Sequence, residues 1–153
     1  MMTVRNLDAV SDVLATQGPL AALAYLNEGV ALRYSAIYRF AGPLLHNVLL
    51  HDEQGKKRPD YLSVVPFTQS FCKFVQRGKA FRTTDSAADP RLDGHPLQGV
   101  VVSYHSVPLL DAYTGELWGT LSHFDMNNLP LSDAEFDLLQ GAARLFPPFL
   151  ADI

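Results

Sequence analysis

Residues Val100–Asp125 read VVVSYHSVPLLDAYTGELWGTLSHFD. Two apolar runs, Val100 to Leu110 and Glu116 to Asp125, flank the segment Asp111-Ala112-Tyr113-Thr114-Gly115. The gap between the two runs is short and ends in glycine. That combination predicts an antiparallel hairpin. Adjacent strand residues point to opposite faces, so at most one of Tyr104 and His105 faces any given side of the sheet.

Upstream of the hairpin, Asp85 to Gly99 is crowded with turn formers: Asp85, Asp89-Pro90-Arg91, Asp93-Gly94 and Pro96. No long regular element is expected there. Ala80 to Thr84 reads as a strand. Thr68 is placed to cap a helix running to about Arg77, stopped by Gly78, with Phe71, Phe74 and Val75 on its apolar face. Tyr61 to Val65 reads as a short strand and Asp52 to Pro59 as a polar loop. Leu45 to His51 is a further strand, preceded by the turn Gly42-Pro43. Around Tyr34 the apolar period is two: Tyr34, Ala36, Tyr38 and Phe40 alternate with Arg33, Ser35, Ile37 and Arg39, which predicts a strand with one more polar face.

The N-terminal segment is helical in period. Leu7, Val10 and Leu14 share one face of a helix from about Val4 to Ala15. Pro19 suits the first position of a second helix, and Gly29 its stop. Downstream of the hairpin, Ser132-Asp133-Ala134-Glu135 is a capping box, with Leu131 and Phe136 placed for the hydrophobic staple. Phe136, Leu139, Ala143 and Phe146 continue one helical face, and Pro147-Pro148 is expected to end the helix near Phe146. The sum is an α+β chain with a central antiparallel sheet of about six strands and helices outside it.

Composition narrows the function. The 153 residues, 48% apolar and 18% charged, suit one globular domain spanning 1–153. The net charge of −4 argues against nucleic acid, and the one basic run, Lys56-Lys57-Arg58, reads as a solvated loop. No apolar stretch is long enough to span a membrane, and the N-terminus lacks a signal pattern. With a single cysteine, Cys72, no intramolecular disulfide is available, so a cytoplasmic location is expected.

The order of these pieces resembles the GAF domain family. The resemblance rests on Gln76-Arg77-Gly78-Lys79, the strand closing at Asp85, Ala88-Asp89-Pro90-Arg91, Ser103 to Leu109, Gly115, Leu117 to Asp125, and Leu131 to Phe136 leading into a helix. It covers roughly Gly18 to Phe146. It implies a GAF/PAS-like fold: terminal helices on one face of the sheet, and on the other a pocket roofed by Thr68–Arg77 and Asp85–Gly99. It also implies a bacterial-type regulatory domain that binds an unknown small molecule, signals through a separate partner protein because no effector follows Ile153, and forms a homodimer through its terminal helices. Leu145-Phe146-Pro147-Pro148-Phe149-Leu150 is apolar enough to pack against a copy of itself.

The residues expected at such a pocket are Phe67, Phe71, Phe74, Asp85, Asp89, Arg91, Tyr104 and His105. Each also has a plain structural reading. Aspartates before turns bond their own loop, Arg91 can pair with an aspartate, His105 can sit satisfied in the core, and Cys72 can be a small buried hydrophobe. Ser103-Tyr104-His105-Ser106 has no cysteine, so covalent bilin attachment is not expected. Whether any other cofactor binds is unknown from the sequence. An enzyme of the free-methionine sulfoxide reductase type is the alternative, but its cycle needs a second thiol to resolve the oxidised cysteine. Asn127-Asn128 lacks the lysine of the cyclic-nucleotide signature. A dimerisation module without ligand is the third reading. His46, His51, His95, His105 and His123 show no metal-ligand spacing, although His105 and His123 fall on paired strands.

Overall fold

The computed structural model describes residues 6–66, 79–95 and 97–151. Helix α1 (Leu7–Gln17) starts at Asn6, whose side chain accepts a hydrogen bond from the Ala9 amide at 2.9 Å. Gly18, at φ 94°, ends α1 and lets α2 (Pro19–Asn27) begin at once. Asn27 closes α2 with its side chain, donating to the Leu32 carbonyl and to Ser35 Oγ. Gly29 does not take a left-handed conformation, contrary to the sequence expectation. The cap is the right-handed Glu28, because Asn27 already fixes the chain's exit.

The strands are β1 (Tyr34–Ala41), β2 (Leu44–Asp52), β3 (Val64–Pro66), β4 (Phe81–Thr83), β5 (Ser103–Leu110) and β6 (Leu117–Asp125). They form one antiparallel sheet of order β3-β2-β1-β6-β5-β4. The β5–β6 hairpin is as the sequence indicates, its loop pinned by Asp111, whose carboxylate accepts from the Tyr113 and Thr114 amides.

Several boundaries differ: α1 starts at Leu7 and not near Val4, and β5 at Ser103 and not Val100, whose amide turns back to the Leu97 carbonyl. Asp60–Leu62 is a 3₁₀ turn, so β3 begins later than Tyr61. Helix α3 (Asp133–Ala142) stops before Phe146, because the amides of Arg144 and Leu145 bond three residues back and tighten the chain ahead of the two prolines. The expected helix at Thr68–Arg77 lies outside the described residues, with Phe67, Phe71, Cys72 and Phe74.

Both faces of the sheet are covered. On one, Val10, Leu14, Leu23, Leu26, Leu139 and Phe146 of the helical segments pack against Ile37, Val107, Leu109 and Leu121. On the other, Leu62, Leu92 and Val101 from the connections pack against Tyr34, Tyr38, Phe81, Tyr104 and Phe124. This explains why Ser35, assigned by sequence to a more polar face, is fully buried: its side of β1 lies under helices. Phe146 and Leu150 are also spent in the core, leaving Phe149 as the exposed aromatic of the C-terminal segment.

Candidate functional site

The register aligns side chains in rows across the sheet. On the face away from the helices, Thr83, Tyr104, Phe124, Tyr34 and Asp52 stand side by side. The next row on that face is Phe81, Ser106, Ser122, Ala36 and Leu50. A third runs Pro108, Thr120, Tyr38 and Asn47. The centre of the middle row is small and hydroxylic, with larger rings in the rows beside it.

The rings are mutually braced. Tyr34 and Phe124 stack at 5.0 Å, and Tyr104 lies 6.3 Å from both Phe124 and Phe81. Ser122 Oγ donates to Ser106 Oγ at 2.9 Å and reaches Tyr104 Oη at 3.4 Å. Tyr38 Oη donates to the Leu62 carbonyl at 2.7 Å. An apolar floor carrying a few fixed hydroxyls is the usual lining of a small-molecule site.

The segment 85–99 crosses this face as two 3₁₀ turns, Ser86–Ala88 and Pro90–Leu92, with Leu92 inserted among the aromatics. Its aspartates take their structural roles. Asp85 accepts from the Ala87 amide, and Asp89 accepts from the Arg91 amide at 3.0 Å. Asp89 also holds the Arg91 guanidinium in a two-pronged pair at 2.6 and 3.0 Å, which with the Thr83 side chain lowers its pKa to about 2. Arg91 covers the Phe81 ring at 4.6 Å and donates to the Arg82 carbonyl. Asp89 and Arg91 thus satisfy each other while fastening the segment to β4.

Tyr104 and His105 separate as strand alternation requires. Tyr104 faces the covered side described above; His105 faces the helices. The expectation that His105 joins the pocket residues is therefore corrected, since its side chain stands in the row Arg82, His105, His123, Ser35, His51 beneath α2 and α3. Arg82 Nε donates to His105 Nδ1 at 3.2 Å, and His105 Nε2 has no hydrogen-bond partner among the described residues. Burial, helped by the Arg82 charge, lowers the His105 pKa to about 4. At neutral pH His105 is uncharged, and its proton must sit on Nε2 because Nδ1 accepts from Arg82.

His105 and His123 are direct cross-strand neighbours, and Ser35 Oγ lies 2.6 Å from His123 Nδ1. Among the described residues no three metal-ligating side chains come together. Arg82 is the functional-looking residue that sequence reading passed over. Its guanidinium meets Asp133 at 3.0 Å, the Leu131 carbonyl at 2.9 Å and the Phe136 ring at 4.2 Å, tying β4 to the start of α3. Nothing local in the sequence marks it, because its contacts come from strand pairing with His105 and from the distant start of α3.

The antiparallel sheet, with helices behind it and an irregular cover over its aromatic, hydroxyl-bearing face, has the α+β architecture of a GAF-type domain. The chain belongs to the GAF domain family, whose model matches residues 19–146. Its fold is similar to a putative GAF sensor protein from Burkholderia vietnamiensis (17% identity, TM-score 0.71, covering 93% of this chain and 89% of that one). It is also similar to a free methionine-R-sulfoxide reductase from Neisseria meningitidis in complex with its substrate (17%, TM-score 0.69, 97% and 92%). A third is the phycocyanobilin-bound GAF domain of a cyanobacterial phytochrome (16%, TM-score 0.70, 98% and 96%). At these identities the likeness is one of fold. No curated protein matches the chain. No helix among the described residues is long and apolar enough to cross a membrane.

Proposed function

We propose that this GAF domain is a cytoplasmic sensor. It binds a small molecule over Ser106 and Ser122, between the rings of Tyr34, Tyr104 and Tyr38, and hands the signal to a separate partner without catalysing a reaction. The observation that carries this reading is the middle row of the covered face. Ser106, Ser122 and Ala36 are small, buried and flanked by the rings of Tyr104, Phe124 and Tyr34 on one side and of Tyr38 on the other, and two of the three offer a hydroxyl. The ligand this favours is compact, flat enough to lie against aromatic faces, and able to bond uncharged hydroxyls. The two cysteine-dependent chemistries of the family are not proposed, since the chain has one cysteine and none beside His105. A homodimer through the terminal helices belongs to the same proposal.

A thermal-shift screen of small metabolites tests it. A ligand at one hundred times its Kd stabilises by about 2.7 kcal/mol, or roughly 5–11 °C in a domain of this size. Tyr104→Phe and Ser106→Ala are each expected to lower the unliganded stability by about 1 kcal/mol and to shrink the ligand's shift by more than half. A hit whose shift survives both substitutions places the ligand elsewhere and overturns the reading.

A further inference from the structure

The outer edge of β2 is only partly covered. β3 pairs with Leu44, Leu45 and His46, and the Asn47 amide then bonds the Ser63 carbonyl. From Val48 to Asp52 no described strand lies alongside. The Glu53 amide donates to the Arg33 carbonyl. Antiparallel alternation then turns the backbone groups of His51 and Leu49 inward toward β1 and directs those of Leu50 and Asp52 outward; the Asp52 carbonyl already accepts from the Gly55 amide, which leaves the amide and carbonyl of Leu50 and the Asp52 amide open on this side. A free edge of this kind is a template for another strand.

A cleft of about 890 Å³ follows this edge. One wall is the outer face of α2, where Leu20 is half exposed and Ala21 and Ala24 leave room. The opposite wall is the loop Gly55–Arg58. The charge there is one-sided. Asp52 is already taken up by Arg33, at 2.7 Å to each carboxylate oxygen, and by the amides of Gln54 and Lys56. Arg58 is held by three neutral groups, Asn47 Oδ1 at 3.0 Å, the Asn47 carbonyl at 3.5 Å and Ser63 Oγ at 3.1 Å. Lys56 and Lys57 have no carboxylate partner among the described residues. Against these three cations the cleft offers one further carboxylate, Asp60. A basic cleft on a chain of net charge −4 is a local feature, and the loop that sequence reading left as solvated forms its wall.

We infer that this edge receives an extended acidic segment of a partner protein. The segment adds as a strand beside Val48–Asp52, with its carboxylates toward Lys56, Lys57 and Arg58 and an apolar side chain against Leu20. Main-chain pairing supplies affinity and the pockets beside it supply selectivity, as in other strand-addition complexes. A second copy of this chain is the poorer occupant, because another β2 edge would bring the same three cations. The inference rests on the reading that the domain acts through a partner, but it needs no small molecule on the aromatic face.

The test uses the full chain and two fluorescein-labelled decapeptides, alternating Val-Glu and alternating Val-Lys. The Val-Glu peptide is expected to bind by anisotropy and to shift and protect the Leu50 amide in NMR and hydrogen exchange. The Lys56→Glu/Lys57→Glu variant is expected to weaken it about tenfold with an unchanged melting temperature, both side chains being exposed. Equal binding of the Val-Lys peptide overturns the inference. So does undiminished affinity in the double variant, or displacement of the peptide by tripolyphosphate with the Leu50 amide unmoved. Sedimentation showing a dimer that the double variant dissociates assigns the edge to self-association instead. Failure here leaves the thermal-shift screen standing, and failure of that screen leaves this result standing.

Discussion

Gly119 sits on β6 opposite Arg39 of β1 and Leu109 of β5, in the middle of the sheet. A Cβ at this position would overlap the Tyr38 carbonyl oxygen and crowd the Arg39 Cα. Both obstacles are backbone, so no rotamer change relieves them. Gly119→Ala is expected to cost about 2–3 kcal/mol through strain and to lower the melting temperature by roughly 4–12 °C. A melting temperature unchanged from the parent chain would show that β1 and β6 are not this close. In the sequence, Gly119 is one residue of an otherwise regular strand. The need for a missing side chain comes from the approach of β1, some eighty positions earlier in the chain, and nothing local announces it.

Among the elements, α3 shows how far local signals reach. Ser132 caps it as the sequence indicates, accepting from the Glu135 amide at 3.2 Å. Ser132→Ala is expected to cost about 1 kcal/mol and roughly 2–4 °C in melting temperature, with Ser132→Asp restoring most of it. Equal melting temperatures for the parent and Ser132→Ala would mean that the Arg82 contacts alone hold the helix start. Caps, hairpins and turn-rich covers were legible because each is decided within a few residues. The β5–β6 hairpin needed only its alternation and Asp111–Gly115.

What escaped was decided at a distance. The exit from α2 is set by Asn27 reaching Ser35, which made Gly29 irrelevant. The last turn of α3 gave way to 3₁₀ bonding ahead of the prolines. The side taken by His105 was fixed only when pairing placed Arg82 and His123 beside it. For the candidate site, Tyr104 was legible as a strand residue, but the face it takes was not, since alternation alone leaves the choice between it and His105 open. Ser106, Ser122 and Tyr34 were not singled out, because their importance is a cross-strand alignment and not a motif.

Across the whole molecule, acid should weaken the fold in two stages. His105 has its pKa lowered to about 4 in the folded chain from an ordinary 6.5, through burial and then Arg82. The unfolded chain therefore takes up this proton first, and stability falls as pH drops from about 6.5 to about 4. The shift corresponds to about 3 kcal/mol over that window. Asp52 is lowered from 3.8 to about 2, chiefly by its hydrogen bonds to Arg33. Its contribution, about 2 kcal/mol, is present above the unfolded value and is lost as pH falls from about 4 toward 2. Asp89 shifts in the same direction, but its partner Arg91 is more than half exposed, so solvent screening makes its share smaller. His105→Asn separates the stages: asparagine offers Arg82 an acceptor and has no proton to gain. Urea unfolding of this variant is expected to show a shallower loss of stability from pH 6.5 to 4, the remainder belonging to the other buried histidines His95 and His123, and the same loss below 4 as the parent. A parent curve already level above pH 4, or an unchanged first decline in His105→Asn, would mean that His105 does not lie desolvated beneath the helices.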